Sequence, residues 1–304
     1  MSVARKVGRG LAALREMLFL PRDVERNALL VGRDLAKRLV GVRPQRGLRE
    51  VEFRVFSQWG DDGIIQWLKH HVGFPSEVFV EFGVEDYREA TTRFLLMNDN
   101  WRGLVMDSSA RNVRRIQRAH WFWRHDLTAR HELVDAENVN RLVGEFAQGE
   151  DPGLLHIDVD GCDYWIWKAL DVCRPGLVIV EYNAVFGADA AVTVPYDAQF
   201  DRAAAHESRL YFGASLAALH HLAEEKGYAL IGCNSAGNNA YFLRRDLLNE
   251  VVREVSVEEG FVDSRFRESC DGRGRWTFLS GGLRLDALQG LPVVDVRSGE
   301  TRKL

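Results

Sequence analysis

Residues 154–170, LLHIDVDGCDYWIWKAL, set Asp158, Asp160 and Asp163 around one glycine, directly behind a short apolar run. An apolar run ending in carboxylates reads as a buried strand whose last residues emerge at a sheet edge. The pattern recurs along the chain. VFVEF (78–82) carries Glu81 and leads into Gly83, and LVMD (104–107) ends in Asp107 beside Ser108. WFWRHD (121–126) ends in His125 and Asp126, and GLVIVEY (176–182) ends in Glu181 and Tyr182, followed by Asn183. Any one such acid could cap the helix that follows. Acids at every strand end together imply a site for a cationic or hydroxyl-rich ligand.

A phosphate site would need the opposite, glycines, backbone amides and cations. Neither GxGxxG nor GxxxxGKS/T occurs. Asp107 stands where a dinucleotide fold keeps its ribose-binding acid. That acid, together with carboxylates facing a positive centre, suits S-adenosylmethionine, which carries an amino group and a sulfonium. Asp158 and Asp160 are expected to hold the reacting groups, and Asp163 to cap the next helix. An EF-hand reading of DVDGCDYWIWKA fails, because its glycine is misplaced and Ala169 stands where a bidentate glutamate is required.

The elements that must position these residues alternate in type. DDGIIQWLKHHV, REATTRFLLMN, SARNVRRIQRA, AENVNRLVGEFAQ, CDYWIWKAL and ASLAALHHLAEEKG read as helices. Between them lie the strands VFVEF, LVMD, WFWRHD, LLHID and GLVIVEY, then YALIGC and AYFLRR. Strand–helix alternation implies a parallel sheet with right-handed crossovers. The continuous apolar character of VFVEF and GLVIVEY fits strands covered on both faces. NSAGNN is too short for a crossover helix, so the last two strands pair as a hairpin. The expected fold is α/β, a Rossmann-like seven-stranded mostly parallel sheet with a C-terminal antiparallel hairpin and helices on both faces.

VFVEFGVEDYREATTRFLL, LVMDSS and LLHIDVDGCDYWIWKAL resemble class I S-adenosylmethionine-dependent methyltransferases, nearest the FkbM-like and macrocin O-methyltransferase-like groups. These modify sugars and glycosylated natural products. The resemblance spans residues 55–245. It implies Glu81 and Gly83 at the methionine moiety, Asp107 on the ribose, Ser108 and Asp126 near the adenine, and Asp158 facing the methyl-transfer centre. The first loop departs from the pattern, with Val84, Glu85, Asp86 and Tyr87 where those families keep further glycines. The macrocin-like group holds a metal at the matching strand ends. Asp158, Asp160, Glu181 and Asn183 therefore form a candidate Mg²⁺ set of hard oxygen donors, although EYN stands here where that family has paired aspartates. Without a metal, clustered carboxylates raise one another's pKa, and one of them or a histidine serves as base.

The segment 182–216 is too long for a plain connection and is expected to lie over the site as a lid. His206 within it reads either as a general base or as a solvated loop residue. Asp160, Glu181 and His206 are thus the candidate catalytic residues. His156, inside a strand, reads as a satisfied core histidine. Asn238 and Asn239 read as hairpin-turn residues in preference to amides that reach a sugar.

The chain has 304 residues and a formal net charge of −4, which gives no pull toward nucleic acid. Charge is uneven, with 12 Lys/Arg against 5 Asp/Glu in residues 1–50 and 28 against 39 beyond. The expected organisation is a basic helical extension (1–50), a methyltransferase domain (51–250) and a C-terminal elaboration (251–304). Val3, Val7, Leu11, Leu14 and Leu18 recur at helical spacing among arginines. That basic amphipathic helix fits packing on the body, on a second copy in a homo-oligomer, or on an anionic membrane surface. The four cysteines show no metal spacing, which suits reduced thiols in a cytoplasmic protein. The expected function is O-methylation of a hydroxyl on a sugar, polysaccharide precursor or glycosylated natural product. Two rivals are a nicotinamide-dependent sugar-nucleotide oxidoreductase and a non-catalytic glycan-binding protein.

Overall fold

The computed structural model describes residues 23–304; the basic amphipathic run expected at 1–20 lies outside them. Helix α1 (23–38) is followed by α2 (Asp61–His71) and then β1 (Val78–Phe82), β2 (Arg102–Asp107), α3 (Ala110–Gln117) and β3 (Leu127–His131). Next come α4 (Val139–Ala147), β4 (Leu154–Ile157), α5 (Asp163–Ala169) and β5 (Leu177–Glu181). The long segment holds β6 (Val192–Thr193) and the short α6 (Arg202–Ala205), and α7 (Leu216–Lys226), β7 (Tyr228–Cys233) and β8 (Asn239–Arg244) follow. The chain ends in α8 (Val257–Gly260), α9 (Gly282–Asp286), β9 (Pro292–Asp295) and β10 (Thr301–Lys303).

Seven strands form one sheet in the order β3-β2-β1-β4-β5-β8-β7. All pair in parallel except β8, which is antiparallel to both β5 and β7. This is the Rossmann-like sheet with one reversed strand. β1, β4 and β5 are buried along their whole length. Val78, Val80 and Phe82 pack on one side with Leu142 of α4 and Trp167 of α5. Phe79 packs on the other with Ile64 and Trp67 of α2. Alternation then carries Glu81, His156 and Glu181 onto the α2 side, where strands otherwise apolar bring in polar groups.

Two expected elements change. WFWRHD forms no strand: Phe122–Arg124 is a 3₁₀ turn, with Trp121 buried beside Tyr87 and Trp123 exposed. The third strand is LTARH, an edge strand with alternating exposure. REATTRFLLMN is helical only from Arg93, where Arg93 and Phe94 lead into a π-helical turn over Leu95–Asp99. Its Thr91 and Thr92 amides bond Glu81 instead of one another's turn.

β6 pairs with β9, and β9 with β10, in a second, three-stranded sheet. The C-terminal segment is thereby stitched onto the long segment after β5. Residues before the body also contribute to its core: Leu39 and Leu48 are buried with Trp67, and Trp67 Nε1 donates to Val42 O at 2.9 Å.

Candidate functional site

A cavity of about 570 Å³ opens at the carboxyl ends of the parallel strands. β1 and β4 lie side by side there, at the point where strand order reverses, the usual ligand position in open α/β sheets. Glu81, Asp107, Asp158, Asp160 and Glu181 all line it. Arg202 is the one lysine or arginine among the described lining residues.

The floor is set by Glu81. Its Oε1 accepts from Thr91 N at 2.8 Å and faces His156 Nδ1 at 3.0 Å, while Oε2 accepts from Thr92 N at 3.1 Å and from the Thr92 hydroxyl. Burial works to raise the Glu81 pKa, but the bonds from His156 and Thr92 outweigh it and hold the carboxylate below its ordinary range. Burial likewise opposes charge on His156, and Glu81 outweighs it, leaving the imidazole above its usual value. With both oxygens occupied, Glu81 shapes the cavity rather than offering it a free carboxylate for a cofactor. His156 Nε2 is buried without a partner, so the satisfied core histidine of the sequence reading is satisfied on one side only.

Gly83 follows at φ +75, and a Cβ there would sit 1.6 Å from the carbonyl oxygen of Asp158. Only glycine lets the β1 and β4 loops approach so closely. The loop then manages without further glycines. Glu85 (φ 48) and Tyr87 (φ 61) take the left-handed conformation themselves. Glu85 N donates to Asp107 Oδ2 at 2.8 Å, and the fully buried Tyr87 hydroxyl pairs with Thr92 Oγ1 at 2.8 Å. Asp107 Oδ1 also accepts from Ser109 N at 2.8 Å and Asn112 Nδ2 at 3.1 Å. A carboxylate has about four acceptor sites, so Asp107 keeps one for a ligand.

Asp163 answers for the crowding in IDVDGCD. It begins α5 and reaches back, accepting from Val159 N at 2.9 Å and Gly161 N at 3.0 Å. It therefore ties down the loop before the helix, where a cap on the helix itself was expected. Asp158 and Asp160 are left to face the cavity, with Asp160 at φ 58. Burial of its carboxyl pushes Asp158 up to about 7, against the pull of His156 and helped by Asp160. Glu181 is raised well above the carboxylate range, first by burial and then by Asp158 and Asp160. Its Oε2 is buried without a partner. Oxygens of Asp158, Asp160 and Glu181 lie within 4.8 Å of one another.

Three expected site residues lie elsewhere. Asn183 is buried, donates from Nδ2 to Leu210 O and Phe212 O at 2.8 and 3.0 Å, and accepts from Val185 N. Its carboxamide is consumed in holding the long segment, so it is no metal ligand. Asp126 is exposed and precedes β3, which puts it at the opposite edge of the sheet. The third strand reaches the cavity instead through Glu132 and Val134. His206 does not line the cavity; its Nδ1 faces Ser208 Oγ at 2.8 Å and accepts from Ser208 N, a local turn bond that ties up one ring nitrogen.

Other residues enter that the sequence did not single out. Asp61, at the start of α2, lines the cavity and accepts from Asn234, Asn239 and the Tyr241 hydroxyl. Asn239 opens β8 opposite Glu181 and is no mere turn residue. The long segment delivers Arg202, and the C-terminal segment adds Phe266 and Glu268 to the wall. Phe266 stacks on Trp59, with centroids 5.7 Å apart and planes at 13°. The acidic pair after Gly60 was a readable hint of a loaded helix start. Nothing local marks Arg202 or Glu268.

No family model matches the sequence, and no curated protein matches it. Among solved structures, an O-methyltransferase family protein from Burkholderia thailandensis aligns at 10% identity and TM-score 0.35, covering 72% of this chain and 57% of its own. The N-terminal domain of EvdMO1 with SAH bound aligns at 11% identity and TM-score 0.39, covering 73% of this chain and 94% of its own. An O-methyltransferase from Bacillus cereus in complex with SAH aligns at 13% and 0.36, covering 73% and 89%. The likenesses are faint.

Proposed function

We propose that the chain transfers a methyl group from S-adenosylmethionine to a hydroxyl oxygen of a sugar or glycosylated acceptor. The observation that carries the reading is the carboxylate-lined cavity at the β1–β4 switch point of a sheet with a single reversed strand. Its volume falls within the range of about 300–1,000 Å³ common for cofactor sites. Asp107 retains acceptor capacity for a ribose diol, and the surrounding acids favour a ligand bearing positive charge. A nicotinamide dinucleotide fits worse. β1 runs into a looped segment rather than directly into a helix, so the pyrophosphate has no helix N-terminus to meet. The acceptor class rests on the sequence resemblance.

When bound, S-adenosylmethionine supplies an electrophilic methyl, so the residues must align the acceptor oxygen and take its proton. A general base contributes about 10²–10⁴-fold when its pKa lies near the working pH. Asp158, pushed up to about 7 by burial, meets that condition, and Glu181 beside it is also raised by burial. Asp160 Oδ1 accepts from Arg202 Nη1 at 2.9 Å, which makes it the wall beside the base. The Mg²⁺ set read from the sequence is incomplete here, since Asn183 is engaged elsewhere and Asp160 is paired with Arg202.

Residues 1–20 are proposed, from their basic amphipathic pattern, to serve assembly or contact with an anionic surface. Among the described residues no helix is long and apolar enough to cross a membrane.

Calorimetry with S-adenosylmethionine and with NAD tests the cofactor. Asp107→Ala is expected to weaken S-adenosylmethionine by about 1.5–3 kcal/mol, the scale of a hydrogen bond to a charged group. Binding of NAD in its place, or unchanged affinity in a folded Asp107→Ala variant, would sink the reading.

A further inference from the structure

The long segment after β5 places one cation in an acid-lined cavity, and its geometry is unusually constrained. Arg202 Nε donates to Arg209 O at 2.6 Å, Nη1 donates to Asp160 Oδ1 at 2.9 Å, and Nη2 pairs with Glu268 Oε1. The guanidinium carbon lies 3.7 Å from the centroid of the Phe212 ring. The side chain is only 16% exposed. Two of its acceptors come from non-glycine residues in the left-handed region, Asp160 and Arg209, both at φ 58. Such positions are costly and persist where surrounding structure holds them. Three separate parts of the chain, the β4 loop, the long segment and the C-terminal segment, thus converge on one fixed positive charge.

We infer that Arg202 is the built-in counter-ion of the Asp158–Asp160–Glu181 cluster and occupies the electrostatic place a divalent cation would take. Clustered carboxylates oppose one another's ionisation, and positive charge beside them offsets part of that cost. A fork bound at every edge and stacked on an aromatic face supplies that charge without a diffusible ion. Its presence also opposes a metal. Asp160 Oδ1 is already an acceptor, and a divalent ion among the three carboxylates would be repelled at short range by the guanidinium. Arg202 is a positioning residue, acting through Asp160 and the cluster. The inference concerns charge at the cluster and stands independently of the methyl-transfer reading.

Binding of Mn²⁺ by electron paramagnetic resonance, and of Mg²⁺ by calorimetry, tests it on the full chain near neutral pH. Wild type is expected to bind weakly. Arg202→Met should bind at least about tenfold more tightly, because a unit charge beside the ion is gone. Arg202→Lys, which keeps the charge, should stay near wild type. Adding Glu181→Gln to Arg202→Met should abolish the gain and so locate the ion at the cluster. Wild type binding Mn²⁺ as tightly as Arg202→Met overturns the inference, as does a gain that survives Glu181→Gln. A purely structural arginine would not move metal affinity upward. Should Arg202→Met not fold by circular dichroism, Arg202→Gln takes its place in the same comparison.

Discussion

Gly83→Ala is expected to weaken the fold and the cofactor site together, through two mechanisms that a second glycine separates. At φ +75 an alanine meets the left-handed penalty, about 1–2 kcal/mol. Its Cβ would also lie 1.6 Å from the Asp158 carbonyl oxygen, against a tolerable limit of 3.0 Å, so the β1 and β4 loops must part by about 1.4 Å. Both atoms are backbone-anchored, and no side chain can rotate to relieve the contact. Parting strains the Gly83 N to Met106 O bond of 3.0 Å, a bond worth about 0.5–1.5 kcal/mol. The sum is about 1.5–3.5 kcal/mol. Gly149 supplies the control. It sits at φ +90 with nothing within 4 Å of a Cβ, so Gly149→Ala meets the backbone penalty alone. Urea unfolding should rank Gly83→Ala as the more destabilised, by about 1 kcal/mol or more. Calorimetry should show S-adenosylmethionine affinity unchanged in Gly149→Ala. In Gly83→Ala it should fall at least tenfold, about 1.4 kcal/mol, because Asp158 moves with the loop. Equal destabilisation of the two variants, or unimpaired binding by Gly83→Ala, would refute the close-approach argument.

The remaining predictions concern the carboxylate cluster. Burial holds Asp158 at about 7 instead of its ordinary 3.8, so its contribution to stability is present at low pH and lost as pH rises through 7. Asp158→Asn never ionises and should gain on wild type between pH 5 and 8 by more than about 1.4 kcal/mol, one pKa unit; a variant that instead loses ground in urea melts as pH rises would contradict this. Glu181→Gln should slow transfer of labelled methyl to a glycan acceptor by about 10²–10⁴-fold, with S-adenosylmethionine affinity retained. Asp160→Asn should impair turnover in the same way, and near-normal rates in both would remove the cluster from the chemistry.

Much of the sheet is written locally. VFVEF and GLVIVEY are apolar at successive positions because both their faces are covered, a constraint each residue records by itself. NSAGNN is too short to cross a sheet, so it commits β7 and β8 to a hairpin whatever surrounds them. The acids after β1, β2, β4 and β5 follow from the same runs. The third strand was less legible. LTARH is an edge strand with one half-open face and little apolar character, while the aromatic WFWRHD next to it imitates a strand and turns instead, burying Trp121. Because the strand begins after Asp126, that carboxylate lies at the opposite edge of the sheet.

Tertiary structure alone decided which polar groups meet. Asp61 and Tyr241 are 180 residues apart, and Arg202 and Glu268 are 66 apart; neither pairing leaves a trace in spacing or composition. Asn183 follows a strand-end acid, as a metal ligand would, yet the carbonyls of Leu210 and Phe212 claim its amide. His206 had the chemistry of a base, but the turn that brings Arg202 into the cavity leaves His206 outside it. Periodicity reports whether each side chain is buried, because burial acts on residues one at a time. It does not report partners, because those depend on how loops distant in sequence pack over the same strand ends.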